Sequence, residues 1–293
     1  MPELPEVETI ARGLAKRVTG DVIESVWLGQ KKEPLKSPAP EIAAALELSR
    51  IASVRRMGKH IVFDLDRVAR ARASGQTLQR RPKGSKVVPA ADSAASKAQW
   101  IVHLGMTGSL RICEPQTEVA KHTHAILKLS SGRELRFVDP RRFGRLSVSA
   151  EFDTTGVEPL EVDLERFVTL FRGRKTPIKS ALLNQKLLRG VGNIYADESL
   201  FRASLRPRRR ASSITREQLR KLFLAVKEVL TEAIALGGSS ISDYVDADGE
   251  EGFFQLQHRV YGREGEPCLV CKTPIKRVVI AGRSSHYCPK CQK

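Results

Sequence analysis

The stretch MPELPEVET, residues 1–9, decides how the fold begins. It contains two prolines and three carboxylates at the start of a helical pattern. The apolar residues that follow helical spacing are Leu4, Val7, Ile10 and Leu14. Pro5 suits an early helical position, and acids in the first turn favour the positive end of the helix dipole. A signal peptide needs a basic start and an apolar run, and this stretch has neither. It predicts an acid-capped amphipathic helix.

Pro2 and Glu3 allow a second interpretation of the same residues. The small Pro2 side chain normally permits removal of Met1, which would leave the secondary amine of proline as the chain terminus. An α-amino group with a pKa of roughly 7.7–8.0 is substantially neutral near physiological pH. Such an amine is a candidate nucleophile, with Glu3 beside it as an acid/base. From these nine residues alone, a plain helix start and a catalytic terminus are both open.

The charge balance of the chain points to a polyanionic partner. Its 293 residues carry a formal net charge of +17, and the pI is near 10.0. This favours nucleic acid first and an anionic membrane second. No basic amphipathic helix dominates, and no apolar run approaches the length of a bilayer span, so the membrane is the weaker candidate. The length and a hydrophobic content of 41% allow two domains with their own cores.

Short strands dominate the first half of the chain. Apolar alternation and turn signals predict strands at 22–28, 51–54, 61–66, 100–104, 110–113, 125–129, 134–138 and 145–148, with a short helix at 40–48. Residues 130–132 would join two of these strands as a hairpin. We expect an α+β fold in which residues 1–150 form an N-terminal β-sandwich with flanking helices. Residues 67–99, rich in small and basic residues, are expected to be a disordered insertion between paired strands.

Helical patterns dominate the second half and predict a helical domain over residues 151–260. One predicted helix covers 163–171, and the residues expected to cap the next three are Thr176, Asn193 and Thr215. A capping box with Gln218 precedes the last and longest helix, which the glycine pair at 237–238 should end. The GVGN turn at 190–193 suits either a simple helix–helix turn or a phosphate, and the basic charge favours phosphate.

The cysteines predict a zinc finger over residues 261–293. The ligand set is Cys268, Cys271, Cys288 and Cys291, in which two CxxC pairs are separated by sixteen residues. Four thiolates complete a tetrahedron, so one structural Zn²⁺ is expected rather than a catalytic metal; a redox or disulfide pair is the alternative. The fifth cysteine, Cys113, lies in a strand-like segment and is expected to be a small buried residue.

Two glycine-flanked loops and one lysine are candidates for contact with a nucleic acid. Met106 lies in LGMTGS, and Arg141 and Phe143 lie in DPRRFG. Such side chains on loops of a basic protein are typical of wedges that fill the space left by a flipped base, although methionine and phenylalanine are more often core residues. Lys59, just before a strand, is a candidate phosphate anchor or active-site cation, with a plain solvated lysine as the alternative.

Taken together, these motifs closely resemble those of bacterial formamidopyrimidine-DNA glycosylases. The resemblance rests on the N-terminal PELPEVET, the LGMTGS and DPRRFG loops, GVGNIYADE and the four-cysteine finger, in that order. It covers nearly all of the chain except the insertion. It implies a β-sandwich, a helix–two-turn–helix domain and a zinc finger around a DNA cleft. It also implies base excision repair, in which oxidised purines are excised through a Schiff base on Pro2 and the strand is cleaved by β,δ-elimination.

The resemblance also implies roles for individual residues. Pro2 would be the nucleophile and Glu3 the acid/base, with Glu6, Lys59 and Arg283 completing the catalytic set. The residues implied in DNA binding are Met106, His122, Arg141, Phe143, Lys175 and Asn193. The partner would be damaged double-stranded DNA, with no membrane involved, and the protein is expected to be a monomer in the bacterial cytoplasm. Lesion ranking, opposite-base preference and the removal of Met1 are open.

Two other functions compete with this one. The related endonuclease VIII type prefers oxidised pyrimidines, but it typically begins PEGP and lacks this set of wedges. A non-catalytic zinc-containing DNA-binding protein would need neither Pro2, Glu3 nor Lys59, and all three are intact in this chain.

Overall fold

A computed structural model describes residues 1–68, 97–240 and 252–293. The N-terminal half contains α1 (Leu4–Val18), β1 (Ile23–Leu28), α2 (Ala39–Leu46), β2 (Ser49–Met57), β3 (His60–Arg67), β4 (Lys97–His103), β5 (Ser109–Cys113), β6 (Thr123–Leu129), β7 (Glu134–Val138) and β8 (Arg145–Ser149). The rest contains α3 (Leu164–Phe171), α4 (Ile178–Leu182), α5 (Asn193–Arg202), α6 (Arg216–Ala235), β9 (Lys276–Ile280) and β10 (Arg283–Tyr287). Two 3₁₀ turns, Ala211–Ser213 and Phe254–Gln257, complete the set.

The first half is a β-sandwich, as the sequence predicts. One four-stranded sheet has the order β1-β6-β7-β5 and the other β2-β3-β4-β8, and every strand pair within them is antiparallel. The predicted hairpin between β6 and β7 is confirmed, and its turn is closed by the Gly132 amide donating to the Leu129 carbonyl. The inward faces share an apolar core in which the rings of Phe63 and Trp100 lie 4.8 Å apart.

Helix α1 joins the two halves of the molecule through its apolar stripe. Val7, Ile10 and Leu14 pack into the sandwich core, whereas Leu4 packs into the core of the helical half. The helix starts with a capping box: the Glu3 amide donates to the Glu6 carboxylate at 2.7 Å, and the Glu3 side chain accepts from the backbone of the first turn. The same short stretch therefore fixes the position of residues 1–3 against both cores.

The helical half packs around the long helix α6. The predicted capping box is confirmed, since the Thr215 side chain accepts from the Gln218 amide and the Gln218 side chain accepts from the Thr215 amide. The helix ends at Ala235, and Gly237 follows at φ +74°, a left-handed conformation that favours glycine.

Three local predictions are wrong. Thr176 does not cap α4; Pro177 occupies the N-cap position, and no side chain caps that end. Asn193 is the first residue of α5 rather than its cap, because Gly192 takes the extended N-cap conformation. Cys113 ends β5 at the edge of its sheet and is only half-buried, since no strand among the described residues covers that edge.

The expected insertion is shorter than 67–99 at both ends. Arg67 ends β3, and Lys97 begins β4, so both boundary residues belong to paired strands. The remainder of the expected insertion, residues 69–96, lies outside the described residues. In the ranges that are described, no helix is long and apolar enough to cross a membrane.

Candidate functional site

A cleft of about 1180 Å³ lies where the start of α1, the turn between β2 and β3, the turn before α5 and the β9–β10 hairpin meet. The sequence-predicted residues that line this cleft are Pro2, Glu3, Glu6, Lys59, Met106, Arg141, Asn193 and Arg283. They come from distant parts of the chain, since Pro2 and Arg283 are 281 residues apart. The predicted site residues that do not line it are Phe143, His122 and Lys175.

Glu3 is held in a nearly solvent-free position beside Pro2. One carboxylate oxygen accepts from the Ile194 amide at 3.2 Å, at the start of α5. Burial raises the pKa of Glu3 to about 7, while the positive charge of Lys59 opposes that rise. A carboxyl group with this pKa exchanges a proton near neutral pH, which is the property that an acid/base catalyst needs.

Glu6 lies behind Glu3 and is tied to the helical half. Its carboxylate accepts from the Tyr195 hydroxyl and from the Ser239 amide at 2.8 Å, in addition to the Glu3 amide. Burial raises the pKa of Glu6, and these hydrogen bonds favour the carboxylate. With these contacts made to backbone groups at residues 3 and 239, Glu6 holds the N-terminal segment in place.

Lys59 occupies the turn between β2 and β3 and is buried against the carboxylates. Burial lowers the pKa of Lys59, and the nearby Glu3 and Glu6 oppose that change. The turn is fixed from behind, since the Gly58 amide donates to Glu158 at 2.8 Å. Arg56 reinforces this by bridging Glu158 at 2.7 Å. A cation is thereby positioned at the reactive end of the cleft.

The position of the Glu3 side chain requires a glycine at residue 192. A Cβ at this residue would lie 2.1 Å from the Glu3 Cδ atom. We expect Gly192→Ala to displace the carboxyl group and to slow any reaction that Glu3 catalyses in the cleft by on the order of 10²-fold, the effect of a misplacement of about 1 Å. The backbone at Gly192 is extended at φ −127°, so alanine strains no backbone angle. Single-turnover kinetics together with the melting temperature test this; slow catalysis with an unchanged melting temperature is expected, and wild-type kinetics would contradict it.

The loops LGMTGS (104–109) and DPRRFG (139–144), which we call the wedge loops, contact each other at the rim of the cleft. Met106 and Phe143 are 45% and 51% exposed, so they are not the core residues that their chemistry would usually make them. The Arg141 guanidinium lies 4.8 Å from the centre of the Phe143 ring. Asp139 accepts from the Thr107 hydroxyl at 2.6 Å and from the Gly144 amide at 2.7 Å, which fastens one loop to the other.

Buried charges that sequence reasoning missed hold the β9–β10 hairpin against α5. Lys179 donates to the Ser284 carbonyl at 2.6 Å and pairs with Asp197 at 2.7 Å, and both side chains are fully buried. Asp197 also accepts from the His286 amide at 2.8 Å. Asn193 adds a contact to the Ser284 hydroxyl at 3.3 Å. Adjacent acids on the buried face of a helix, as in the sequence ADES, are the signal that points to such a pair.

The four cysteines form a compact cluster that could hold one metal ion. Their sulfur atoms all lie within 4.8 Å of one another, with Cys268 and Cys291 3.9 Å apart and Cys271 and Cys288 3.4 Å apart. Zn–S bonds of about 2.3 Å in a tetrahedron require sulfurs about 3.8 Å apart. The four thiols are free and lie close enough together to fit one zinc ion.

Comparison with known proteins identifies the family. The pattern described as Formamidopyrimidine-DNA glycosylase N-terminal domain matches residues 1–146, and that of the Formamidopyrimidine-DNA glycosylase H2TH domain matches residues 155–245. A third, Zinc finger found in FPG and IleRS, matches residues 265–293. The chain belongs to the formamidopyrimidine-DNA glycosylase family. The coarse assignment is therefore a DNA glycosylase of repair, with the helix–two-turn–helix and zinc-finger parts that the sequence predicts.

Individual members of the formamidopyrimidine-DNA glycosylase family match over the whole chain. The Formamidopyrimidine-DNA glycosylase of Solibacter usitatus is 46% identical, with 100% of each chain covered. The crystal structure of the Thermus thermophilus MutM (FPG) protein is 40% identical with a TM-score of 0.79 and covers 99% of this chain and 98% of its own. A Lactococcus lactis FPG variant, solved with DNA containing Fapy-dG, is 30% identical with a TM-score of 0.82 and full coverage of both chains.

Two residues implied in DNA binding by the family resemblance lie away from the cleft. Lys175 is exposed in the loop before α4, and Lys179 on α4 is buried with its charge already paired to Asp197. His122 lies in a separate depression next to the wedge loop. Lys175 precedes α4 and His122 precedes β6. Local sequence does not show how far either residue lies from the cleft.

Zinc removal should affect this glycosylase through Arg283, which the finger hairpin presents to the cleft. Charged hydrogen bonds contribute about 1.5–3 kcal/mol, so chelation of the metal should weaken duplex binding roughly 10- to 100-fold. Structural zinc sites supply folding energy, so the hairpin would lose its position while the sandwich keeps its core. Fluorescence anisotropy with and without chelator tests this. Recovery on adding zinc back is the control, and an unchanged affinity would contradict the prediction.

Proposed function

We propose that this member of the family is a bifunctional DNA glycosylase and AP lyase that excises oxidised purines and then cleaves the strand. One observation carries the proposal: a single cleft collects Pro2, the buried Glu3 with a pKa raised to about 7, and the buried cation Lys59. A non-catalytic DNA-binding protein has no use for this group. The Fapy-dG in the DNA of the Lactococcus lactis complex supports a purine lesion as the substrate.

Removal of Met1 exposes a secondary amine at Pro2, which starts the chemistry. The neutral amine forms a bond from its nitrogen to C1′, and the bond from C1′ to the damaged base breaks with its electron pair going to the base. The amine loses its proton, and the leaving base gains one. Opening of the sugar ring breaks C1′–O4′; Glu3 as the neutral acid protonates O4′, and the nitrogen lone pair forms the iminium.

The iminium then drives strand cleavage. Because it is positive without taking up a proton, it accepts electrons readily and makes the hydrogen on C2′ acidic. Loss of this proton to the Glu3 carboxylate breaks the C3′–O bond with departure of the 3′-phosphate. In a second elimination, loss of the C4′ proton to a base breaks the C5′–O bond with departure of the 5′-phosphate. Water then hydrolyses the imine and restores the amine. Lys59 contributes a fixed positive charge beside the phosphate and the leaving base.

Binding is assigned to the rim of the cleft. Arg283 and Asn193 would hold phosphates that flank the flipped nucleotide, and Met106, Arg141 and Phe143 would fill the space it leaves, with Arg141 facing the unpaired cytosine. Phosphate contacts of this kind make duplex affinity fall steeply with salt.

We propose that the protein is a monomer with three domains, which cover residues 1–150, 151–260 and 261–293. A cytoplasmic location stays a prediction.

Borohydride trapping on a duplex with 8-oxoguanine opposite cytosine tests the proposal. Reduction of the iminium should give a covalent complex that peptide mapping by mass spectrometry places on an N-terminal Pro2. Failure to trap, with zinc bound and the duplex bound, would leave a DNA-binding protein. Equal or faster trapping on a duplex with an oxidised pyrimidine would favour the endonuclease VIII type of specificity instead.

A further inference from the structure

A second depression of about 380 Å³ lies on the far side of the DPRRFG wedge loop from the cleft. We call it the Trp27 depression, and its principal side chains are Trp27, Lys31, Lys121, His122, Pro140 and Arg142. Three of these are permanent cations, and among its lining residues, all within the described ranges, there is no carboxylate. Its charge therefore suits a polyanion, and nothing in its own wall neutralises that charge.

Trp27 is the unusual residue of this surface. It lies on β1 and is 50% exposed, whereas Trp100, the other tryptophan of the chain, is 1% exposed in the sandwich core. The indole ring extends alongside Gly29, where an added Cβ would lie 3.8 Å from its Cη2 atom. The Gly29 amide in turn donates to the His124 carbonyl at 2.9 Å, which fixes this part of the wall. A large apolar ring is thus displayed on a supported backbone.

The wedge loop divides the cleft from the Trp27 depression. Arg141 lines the cleft, while its neighbours Pro140 and Arg142 line the depression. Arg142 has φ +57°, a backbone conformation that a non-glycine residue rarely adopts, and it lines the depression while the preceding Arg141 lines the cleft. The Asp139 carbonyl also contacts His124 Nε2 at 3.0 Å, so the loop and the wall of the depression form one supported unit.

We propose that the Trp27 depression binds the backbone of the undamaged strand of the same duplex. This rests on the proposed function, in which the wedge loop enters the helix between the flipped nucleotide and the strand opposite it. The damaged strand then follows the cleft, and the undamaged strand passes the other side of the loop. Lys31, Lys121 and Arg142 neutralise its phosphates, and the face of Trp27 packs against a sugar.

Tryptophan fluorescence tests this placement directly, because iodide can reach Trp27 but not Trp100. Binding of a full-length lesion duplex should shield Trp27 from iodide quenching. Two further duplexes, each with the undamaged strand shortened on one side of the lesion, should bind, and one of the two should leave Trp27 open to iodide. Trp27→Phe should abolish the iodide response, which assigns the signal. Identical quenching of free and duplex-bound protein would overturn the proposal.

The salt dependence of binding gives a second, independent measurement. Lys31→Ala combined with Lys121→Ala should lower the slope of log affinity against log salt by about 1.8, because each phosphate that a lysine neutralises contributes about 0.9 to the slope. The matched control is Lys16→Ala with Lys221→Ala, two exposed lysines that line neither surface, and it should leave the slope unchanged. An unchanged slope in the first pair would contradict the proposal.

The two proposals fail in different ways. Borohydride trapping by the wild-type protein reports on the chemistry of the cleft, whereas iodide quenching of Trp27 reports on the strand assignment. If wild-type protein binds the duplex but gives no trapped complex, the chemistry is wrong whatever Trp27 reports. If it traps normally while Trp27 stays open to iodide in every complex, only the strand assignment is wrong.

Discussion

Pro2→Gly should abolish excision of 8-oxoguanine from an intact duplex while leaving duplex affinity close to that of the wild type. The substitution removes the ring that orients the terminal nitrogen and turns a secondary amine into a primary one. An imine on a primary amine must take up a proton before it withdraws electrons, whereas the proline iminium is already positive. Loss of a nucleophile costs up to about 10⁶ in kcat, so we expect a loss of on the order of 10³-fold or more.

A preformed abasic site separates chemistry from folding in this variant. Its free aldehyde reacts with a primary amine more readily than a glycosidic bond does, so Pro2→Gly should retain more cleavage of abasic DNA than of lesion DNA. Gel-based single-turnover assays on both substrates measure the difference, with anisotropy as the affinity control. Excision of the intact lesion at the wild-type rate would rule out Pro2 as the nucleophile.

Glu3→Gln should slow opening of the sugar ring, and with it formation of the iminium and strand cleavage, by about 10²–10⁴-fold, the range typical of a general acid/base. Burial raises the pKa of Glu3 to about 7, so the neutral acid predominates below that pH and the carboxylate above it. The attacking amine must be neutral, which requires a pH above its own pKa of roughly 8. The two demands oppose each other, and the wild-type rate should be highest between about pH 7 and 8 and fall on both sides.

The pH profile is what distinguishes a catalytic role of Glu3 from a purely structural one. Glutamine cannot titrate, so the variant should lose the alkaline fall and level off once the amine is neutral. Glu41→Gln, on the exposed face of α2, is the matched control and should keep the wild-type profile. An alkaline limb that persists in Glu3→Gln would assign that titration to another group.

Local sequence predicted most of the features that depend on neighbours a few residues away. The stripe from Leu4 to Leu14 follows the helical period, and the capping box at Thr215 is confirmed because its partners are three residues apart. Alternation predicted the eight strands of the sandwich, and the CxxC spacing predicted the metal site. The errors at Thr176 and Asn193 each misplace a helix start by one residue, because Pro177 and Gly192 occupy the two N-cap positions.

The tertiary structure alone decided the chemistry of the cleft. Sequence placed Glu3 beside Pro2 but not against Lys59 or the Ile194 amide, and the raised pKa of Glu3 results from burial that the helical half provides. The same holds for the pairing of Lys179 with Asp197, and for Trp27 beside the wedge loop. Periodicity and capping are set by short-range geometry, so they can be predicted from the sequence. Desolvation and charge pairing depend on residues brought together by packing, and only the folded chain shows which ones these are.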